Sequence, residues 1–365
     1  MDGKSGIGRC HLGATRAEVL PEGRGGHVEQ PTSLPVGQGG CSAPRHSAAF
    51  TTSRPGRSVV DMGHEDLETM TTAGAAHDGE RRGGAPGSRT WFITGASRGL
   101  GYEFTRAALE RGDRVAATAR DTARLDDLLG RHPDTLLPLA LDVTDADAVG
   151  SSVREAEAWS GGLDVVVNNA GYGHFGAVEE LSDEELRDQL ETNLFGPFRV
   201  TRAVLPGMRA RGSGHIVQVS SIGGVGAFAN LGAYHASKWA LEGISESLAI
   251  ETAPFGIRVT ILEPGGYATD WSGSSARHSA SLEAYEGARV SAAARRGGQA
   301  PGDPAAAAQA LMAVVDSPEP PLRVLFGAQA PAIVRGIYER RLTEWEQWQG
   351  LTERAHGSAH EGGRA

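Results

Sequence analysis

Cysteine is scarce in this chain of 365 residues, which has only Cys10 and Cys41. The two cysteines do not form a disulfide framework, and no Cys/His spacing typical of a metal site surrounds them. No apolar run approaches the roughly 18 residues that a membrane-spanning helix needs. The amino terminus also lacks the short apolar core of a secretory signal. We therefore expect a cytoplasmic protein that has no membrane partner.

An excess of basic residues is lacking too, since 35 Lys and Arg stand against 45 Asp and Glu, for a formal net charge of −10. A general binder of nucleic acid or anionic membranes carries a basic footprint, so we expect no nucleic-acid partner. Hydrophobic residues make up 39% of the chain, which is enough for a sizeable core. The length allows one large domain or two ordinary ones.

Apolar periodicity is absent from residues 1–88, which are rich in Gly, Ser, Thr, Arg, Pro and His. This low-complexity composition is typical of disorder. Three interpretations stay open: a disordered extension, a start codon assigned too far upstream of Met62 or Met70, and a targeting peptide. The acidic cluster at residues 61–68 argues against the targeting peptide, because transit peptides contain few acidic residues.

From Thr90 onward, short apolar runs alternate with amphipathic segments, as they do in βαβ units. We therefore predict a single α/β domain over residues 89–330, with a doubly wound (Rossmann-type), mainly parallel sheet of seven strands. The predicted strands are residues 91–93, 115–118, 136–141, 163–167, 216–219, 257–262 and 322–326. Within the last part of the chain, 331–365, an amphipathic helix at 332–348 is expected to cover the core, a substrate mouth or a partner subunit.

The most reactive stretch contains Ser221, Tyr234 and Lys238. A helix predicted over residues 233–251 places Tyr234 and Lys238 four residues apart on one face. A free tyrosine ionises near pH ~10, and a neighbouring cation favours the phenolate. Ser221 follows the strand predicted at 216–219, at the edge where open α/β sheets bind ligands. An isolated Tyr-x-x-x-Lys is more often a half-buried aromatic beside a solvated lysine, so the pair needs support from elsewhere.

That support comes from a glycine-rich turn, Gly95-x-x-x-Gly99-x-Gly101, which follows the first predicted strand and precedes a helix. Glycine lets the backbone bend tightly and approach a pyrophosphate. The helix amino terminus supplies free N–H groups for the phosphate oxygens. On its own, such a glycine pattern forms a simple tight turn about as often as it forms a nucleotide-binding site.

Taken together and in this order, the two motifs resemble those of the short-chain dehydrogenase/reductase family, over about residues 89–327. The resemblance implies a nicotinamide dinucleotide bound by the glycine turn and by the ends of the later strands. The implied cofactor-binding residues are Gly95, Ser97, Arg98, Gly99, Leu100, Gly101, Arg120, Asp142, Val143, Asn168, Ala170, Gly171, Tyr234, Lys238, Pro264, Gly265 and Thr269.

Several of these positions carry a more specific expectation. By resemblance Asp142 contacts the adenine, although taken alone it would more often cap the following helix. The run from Asn168 to Gly171 steadies the sheet and lines the adenosine side, and Thr269 bonds the nicotinamide carboxamide. Asn193 is implied as a fourth catalytic residue that holds a water molecule leading to Lys238.

The end of the second strand indicates which dinucleotide is used. Enzymes that use NAD place an acidic residue there for the ribose 2′-hydroxyl, whereas a 2′-phosphate needs a cation. By resemblance the acid would fall at Ala119, and Arg120 follows directly. Arg98 is the second cation of such enzymes, and a guanidinium binds phosphate in a bidentate way. We expect NADP(H), with the alternative that Asp121 turns inward and holds a 2′-hydroxyl.

The resemblance implies hydride transfer between this cofactor and a small-molecule carbonyl or alcohol substrate. Tyr234 exchanges the proton, Ser221 holds the substrate oxygen, and Lys238 lowers the tyrosine pKa and bonds the nicotinamide ribose. Asn193 and its water resupply the proton, and no metal is needed. Two alternatives remain: a catalytically silent NADPH-binding regulatory protein, and an epimerase or dehydratase of the same family.

The motifs do not identify the substrate. Its pocket is expected from residues 172–178, 222–231 and a lid at about 267–299. Four aromatic residues could form an apolar wall there or belong to the core: Tyr172, Phe175, Phe228 and Trp271. Family habit also predicts a homodimer or homotetramer, packed through the helices that contain Asn193 and Tyr234.

Overall fold

The computed structural model describes residues 88–296 and 300–357. Most of the predicted amino-terminal extension, up to residue 87, lies outside the described residues, as do part of the predicted lid, 297–299, and the tail from 358. The interpretations of the extension therefore stay predictions.

The seven predicted strands are confirmed as one parallel sheet. Their bounds are β1 Thr90–Thr94, β2 Arg114–Ala119, β3 Leu136–Ala140, β4 Val165–Asn168, β6 Gly214–Val219, β7 Ile257–Pro264 and β9 Arg323–Phe326. A separate pair contains β5 His174–Phe175 and β8 Arg277–His278. In the main sheet the order is β3-β2-β1-β4-β6-β7-β9. The chain thus winds outward in one direction from β1 and in the other from β4.

Helices cover both faces of the sheet. Their bounds are α1 Gly99–Glu110, α2 Asp126–Arg131, α3 Ala146–Ser160, α4 Asp183–Leu190, α5 Gly196–Arg211, α6 Gly232–Thr252, α7 Glu286–Arg296, α8 Pro304–Asp316 and α9 Ala330–His356. One core cluster joins α1, α2 and α8 to the sheet, and a second joins α3, α5 and α6 to the opposite face. The doubly wound α/β prediction is therefore confirmed.

Alternation along β1 shows how the two cores form. Trp91 and Ile93 belong to the cluster with α1 and α8, whereas Phe92 belongs to the cluster with α3 and α5. Successive side chains of a strand point to opposite faces, and each of these three is fully buried. A strand with helices on both sides needs apolar residues at every position. For this reason continuous apolar runs were a reliable signal here.

The topology also sets the place of the functional site. Between β1 and β4 the winding direction reverses, and open α/β sheets hold ligands at such a switch point, beyond the carboxyl ends of the strands. The glycine turn follows β1, residues 169–171 follow β4, and Ser221 follows β6. Because the strands are parallel, these three segments lie along one edge of the sheet.

The lid and the carboxyl-terminal helix are more ordered than the sequence indicates. Pairing of β8 with β5 ties the predicted lid to residues 174–175, and α7 follows within the lid. Helix α9 extends beyond the predicted residues 332–348 at both ends. Its first turns bury Ala330, Val334 and Ile337, while its later turns expose Trp345 and Trp348. Across the part of the chain that the structure describes, no helix is both long and apolar enough for a membrane span.

Candidate active site

One large cavity of about 1730 Å³ follows the carboxyl edge of the sheet. Ligand pockets for drug-sized molecules are typically about 300–1,000 Å³, so this cavity has room for a dinucleotide and a second molecule. Its walls come from the turns after β1, β4, β6 and β7, from the lid and from the start of α9. The predicted nucleotide and catalytic segments therefore open into the same space.

The glycine turn is built for close backbone approach. Gly95 has a φ of +67°, and a Cβ added there would lie 2.8 Å from the Cα of Ala170. A Cβ on Gly101 would lie 2.3 Å from the carbonyl oxygen of Gly95. Side chains are thus excluded at both positions, which leaves exposed backbone at the amino terminus of α1, as binding of a pyrophosphate requires.

Asn169 holds this turn against the loop after β4. Its Nδ2 donates to the carbonyl oxygens of Thr94 and Gly95, at 3.0 and 3.1 Å. The resemblance implied that the run 168–171 steadies the sheet and lines the adenosine side, and it named Asn168, not Asn169, as a cofactor contact. The structure corrects this assignment: Asn168 is buried away from the cavity, and its amide donates to Thr201 Oγ1 at 3.2 Å. Asn168 is the last residue of β4 and points into the protein interior, whereas Asn169 begins the loop and lines the cavity.

Most of the other predicted cofactor residues line the cavity. These are Gly95, Ser97, Arg98, Gly99, Leu100, Arg120, Asp142, Val143, Ala170, Gly171, Tyr234, Lys238, Pro264, Gly265 and Thr269. Gly101 does not line it, because it packs behind the turn against Gly95 and Asn169. It contributes by leaving space and makes no direct contact with the cavity.

The end of β2 presents a cation to the cavity and no carboxylate. Ala119 and Arg120 both line the cavity. The carboxylate of Asp121 caps the next turn instead and accepts from the backbone N–H of Ala123 at 3.1 Å. Arg98 enters the same space, with its guanidinium 3.7 Å from Asp270. The inward-turned Asp121 of the alternative interpretation is therefore not the conformation found.

Asp142 does not cap the following helix, because the cap of α3 is Asp145, whose carboxylate accepts from two backbone N–H groups in the first turn of that helix. The predicted contact of Asp142 with adenine stays a prediction. Its carboxylate accepts from the backbone N–H and the hydroxyl of Thr144, at 3.0 and 2.8 Å, and it also lines the cavity. Partial burial acts to raise its pKa, but the bonds from Thr144 and the charge of Arg120 together lower the pKa below its ordinary value. A charged acceptor thus stands beside the cationic end of the cavity.

Three of the four predicted catalytic side chains, those of Ser221, Tyr234 and Lys238, converge at the other end of the cavity. A Cβ added to Gly223 would lie 3.1 Å from Tyr234 Cε1 and 3.4 Å from Ser221 Oγ. Ser221 Oγ accepts from the backbone N–H of Gly223 at 3.0 Å, which orients the hydroxyl. Lys238 Nζ lies 5.9 Å from the centroid of the Tyr234 ring and donates to the carbonyl oxygen of Val219 at 2.8 Å.

Protonation of this pair differs from the expectation. Burial raises the pKa of Tyr234 to about 12, and a hydrogen bond from Ser221 opposes this only in part. Burial also lowers the pKa of Lys238 to about 8, which the charge of Glu242 partly opposes. The predicted lowering of the tyrosine pKa by Lys238 is not seen, because removal of the phenol from water raises its pKa and the group that opposes this rise is Ser221. Tyr234 is held as a neutral phenol.

Asn193 lies behind the cavity in a π-helical segment, Glu191–Phe195, that joins α4 to α5. Segments of π-helix are rare in proteins and often lie at functional sites. Asn193 is fully buried, and its side chain bonds both backbone groups of Tyr172, at 3.0 and 3.1 Å, and Ser237 Oγ at 3.2 Å. It thereby links α6, between Tyr234 and Lys238, to the loop after β4. Its water link to Lys238 stays a prediction.

Aromatic side chains form an apolar wall next to Tyr234. The ring of Trp271 lies edge-on to that of Tyr234, with centroids 5.0 Å apart. Tyr172 and Phe228 line the cavity with Trp271. Phe175 does not, since it is buried behind Trp271 at 5.4 Å. Three of the four aromatic residues thus belong to the wall, and the fourth supports it.

The start of α9 closes the same space. Ile333 and Ile337 line the cavity, and a Cβ added to Gly226 would lie 2.2 Å from Ile337 Cδ1. The first turns of α9 therefore form part of the cavity wall, and the predicted cover of a substrate mouth stays a prediction.

Comparison with known proteins agrees with this arrangement. The family model of short chain dehydrogenases matches residues 89–280. The chain belongs to the short-chain dehydrogenase/reductase family. As an oxidoreductase of this family it uses a nicotinamide cofactor.

Several relatives match across nearly their whole length. Oxidoreductase BOA17 of Botryotinia fuckeliana is 41% identical over 73% of this chain and 98% of its own length. A short-chain dehydrogenase from Streptomyces avermitilis has a solved structure with a TM-score of 0.71, at 41% identity over 74% of this chain and 99% of that one. Another from Burkholderia cenocepacia, solved with NADP, has a TM-score of 0.57 at 27% identity, over 71% and 97% of the two chains.

A buried charge cluster lies behind the catalytic lysine and was missed by the sequence analysis. Glu242 follows Lys238 by one helical turn, and Glu263 lies on β7 beside it; their side chains are 6% and 4% exposed. Arg323 of β9 bonds both carboxylates, with 2.7 Å to Glu263, and also bonds Glu246 at 2.6 Å. Burial raises the pKa of Glu242 and of Glu263, which Arg323 partly offsets. The arginine stands 81 positions from Glu242, so spacing carried no signal.

We expect Arg323→Leu to lower the free energy of unfolding at pH 7 by about 3 kcal/mol, because it leaves two buried carboxylates without their cation. Both carboxyls then have a pKa still further above the unfolded value. Protonation of the two carboxyls therefore stabilises the folded variant at low pH. This stabilisation is lost as pH rises through their folded-state pKa values. Urea unfolding of this oxidoreductase variant should therefore show higher stability at pH 5.5 than at pH 8.

Arg335→Leu, on the exposed side of α9, is the matched control and should change stability by no more than about 0.5 kcal/mol. A loss in Arg323→Leu that is the same at every pH would contradict the electrostatic explanation.

Proposed function

We propose that this protein is an NADP(H)-dependent oxidoreductase that interconverts a carbonyl and an alcohol. The observation that carries the proposal is the convergence of Tyr234 and Ser221 in the cavity that also holds the glycine turn. A proton donor and an oxygen ligand thus stand beside a site suited to a dinucleotide. In the bound state NADPH supplies the hydride for a carbonyl carbon.

The residues of the chain handle the proton and the developing charge. Ser221 donates a hydrogen bond to the carbonyl oxygen, which gains negative charge in the reducing direction. Tyr234 is a neutral phenol, because burial raises its pKa to about 12, so it has a proton to donate to that oxygen. Lys238 would hold the nicotinamide ribose and, through Asn193 and a water molecule, resupply the proton. The buried site favours each of these charge interactions, because water is excluded.

Tyr234→Phe removes the transferable proton and keeps the ring that packs on Trp271. We expect kcat for ketone reduction with NADPH to fall at least about 100-fold, the contribution typical of a general acid. Steady-state rates on a panel of ketones, with alcohol measured against NADPH consumed, provide the test. Binding of NADPH, followed by nicotinamide fluorescence, checks that the variant is folded.

The stoichiometry also separates the alternatives. One NADPH oxidised for each alcohol formed supports the proposed reaction. Substrate turnover without net NADPH loss would indicate an epimerase or dehydratase instead. Binding of NADPH with no turnover of any ketone would indicate a silent regulatory protein.

The preference for NADP(H) rests on this chain's own residues, since solved relatives have been seen with NADP and with NADH. Arg98 and Arg120 line the cavity, and Ala119 supplies no carboxylate to hold a 2′-hydroxyl. The carboxylate of Asp121 accepts a hydrogen bond from the backbone N–H of Ala123 instead. Two guanidinium groups favour a 2′-phosphate, which they can bind in a bidentate way.

We expect wild type to bind NADPH at least tenfold more tightly than NADH, and Arg120→Ala to lose most of that difference. A tenfold change in Kd corresponds to about 1.4 kcal/mol. Fluorescence titration with both nucleotides measures the effect. Arg124→Ala is the matched control, because Arg124 is exposed nearby but does not line the cavity. Equal losses of affinity for NADPH and NADH in Arg120→Ala would count against a phosphate contact.

We also propose that the protein is a homodimer or homotetramer that packs through α5 and α6. Large apolar side chains on and beside these helices are exposed by a third or more. They are Phe195, Phe198, Trp239, Ile244 and Ile250. An apolar face of this kind is typical of a surface that a second subunit covers.

Sedimentation velocity at micromolar concentration should show a dimer or tetramer for wild type and a monomer for Phe198→Glu, since a charge in the interface is not compensated. Leu342→Glu, on the exposed face of α9, places the same charge elsewhere and should leave the association unchanged. A monomeric wild type would contradict the proposal.

A further inference from the structure

His235 borders the reacting centre and has no role in the mechanism above. It directly follows Tyr234 in α6, and the two ring centroids lie 6.1 Å apart. A Cβ added to Gly223 would lie 3.1 Å from His235 Cδ2 and equally far from Tyr234 Cε1, with Ser221 Oγ at 3.4 Å. The imidazole also lines the cavity. It is therefore a neighbour of any substrate whose carbonyl oxygen reaches Ser221 and Tyr234.

The imidazole has an unused hydrogen-bonding group. Within residues 88–296 and 300–357, no hydrogen-bond partner is found for its Nε2, and the side chain is only 6% exposed. A buried polar atom without a partner costs about 1–3 kcal/mol. The ring of Phe228, with its centroid 5.6 Å away, offers no such partner. The described residues supply no partner for this nitrogen, so its partner is either water or a molecule that enters the cavity.

The charge state of His235 restricts what that partner is. Burial lowers its pKa to about 4, so the ring is neutral at pH 7. A neutral imidazole has one N–H donor and one acceptor nitrogen. It can donate to a carbonyl oxygen or accept from a hydroxyl, but it offers no positive charge to a carboxylate or phosphate. The fitting group is a neutral oxygen.

We propose that His235 determines substrate specificity by hydrogen bonding to a second oxygen of the substrate, a hydroxyl or carbonyl close to the reacting carbonyl carbon. This inference rests on the proposed carbonyl reduction. The substrate class is then an oxygen-bearing ketone whose apolar part packs on Trp271 and whose second oxygen reaches His235. A site with a buried polar group discriminates strongly against an analogue that lacks the matching group.

The test measures kcat and KM of the full chain with NADPH on two pairs of ketones that are matched in chain length. Ethyl acetoacetate is compared with 2-heptanone, and 4-hydroxy-2-butanone with 2-pentanone. In wild type the oxygenated member of at least one pair should have the higher kcat/KM. We expect His235→Phe to lower that ratio about tenfold or more, as loss of a buried hydrogen bond implies. A difference in intrinsic reactivity between the two ketones does not affect the comparison, because the ratio is measured with the same two ketones in wild type and in the variant.

His235→Gln tests whether the hydrogen bond itself is responsible. The side-chain amide nitrogen of glutamine reaches about as far from the backbone as Nε2, so this variant should recover part of the lost ratio. Phe228→Leu alters the neighbouring wall without removing a polar group, and should affect both members of each pair alike. The pair that responds to His235→Phe shows whether the second oxygen is a carbonyl or a hydroxyl.

Two results would overturn the inference, and they differ from each other. If His235→Phe lowers kcat/KM equally for both members of each pair, His235 serves packing only, and the proposed function stands. If wild type oxidises NADPH with none of the four ketones, the proposed carbonyl reduction fails and this inference fails with it.

Discussion

Removal of water from Tyr234 and Lys238 is the constraint on which the rest of the site depends. Burial moves the two pKa values in opposite directions, upward for the phenol and downward for the ammonium. The tyrosine therefore keeps its proton, and the lysine, whose pKa is lowered to about 8, still carries its charge in most molecules at pH 7. Surrounding groups counter this effect rather than create it: Ser221 bonds the phenol, and Glu242 supplies negative charge near the ammonium.

Burial of this kind requires support from distant parts of the chain. The carboxylate of Glu242 is itself buried and is stabilised by Arg323 on the last strand of the sheet. Ile337 on the last helix lines the cavity. Both residues lie beyond residue 280, where the match to the family model ends. The carboxyl-terminal part of the chain thus completes a site whose reacting groups all precede it.

At the end of the cavity suited to the nucleotide, two backbone segments pack closely against each other. The turn after β1 and the loop after β4 approach so closely that Gly95 and Gly101 have no room for a Cβ. Asn169 holds the two segments together through the carbonyl oxygens of Thr94 and Gly95. The cations Arg98 and Arg120 then stand at the rim of the cavity, where water can reach them and where an anionic group can enter.

The sequence alone determined the features that depend on local spacing and on burial at every position of a strand. Seven apolar runs predicted seven parallel strands, of which those at the centre of the sheet are fully buried. The glycine spacing predicted the turn after β1, and four-residue helical spacing placed Tyr234 beside Lys238. Only the tertiary structure decided which asparagine, Asn168 or Asn169, faces the site. It alone decided that burial raises the pKa of the Tyr234 phenol and that Arg323 pairs with Glu242. These outcomes depend on solvent exclusion and on contacts between residues far apart in the chain, and neither is encoded in a local pattern.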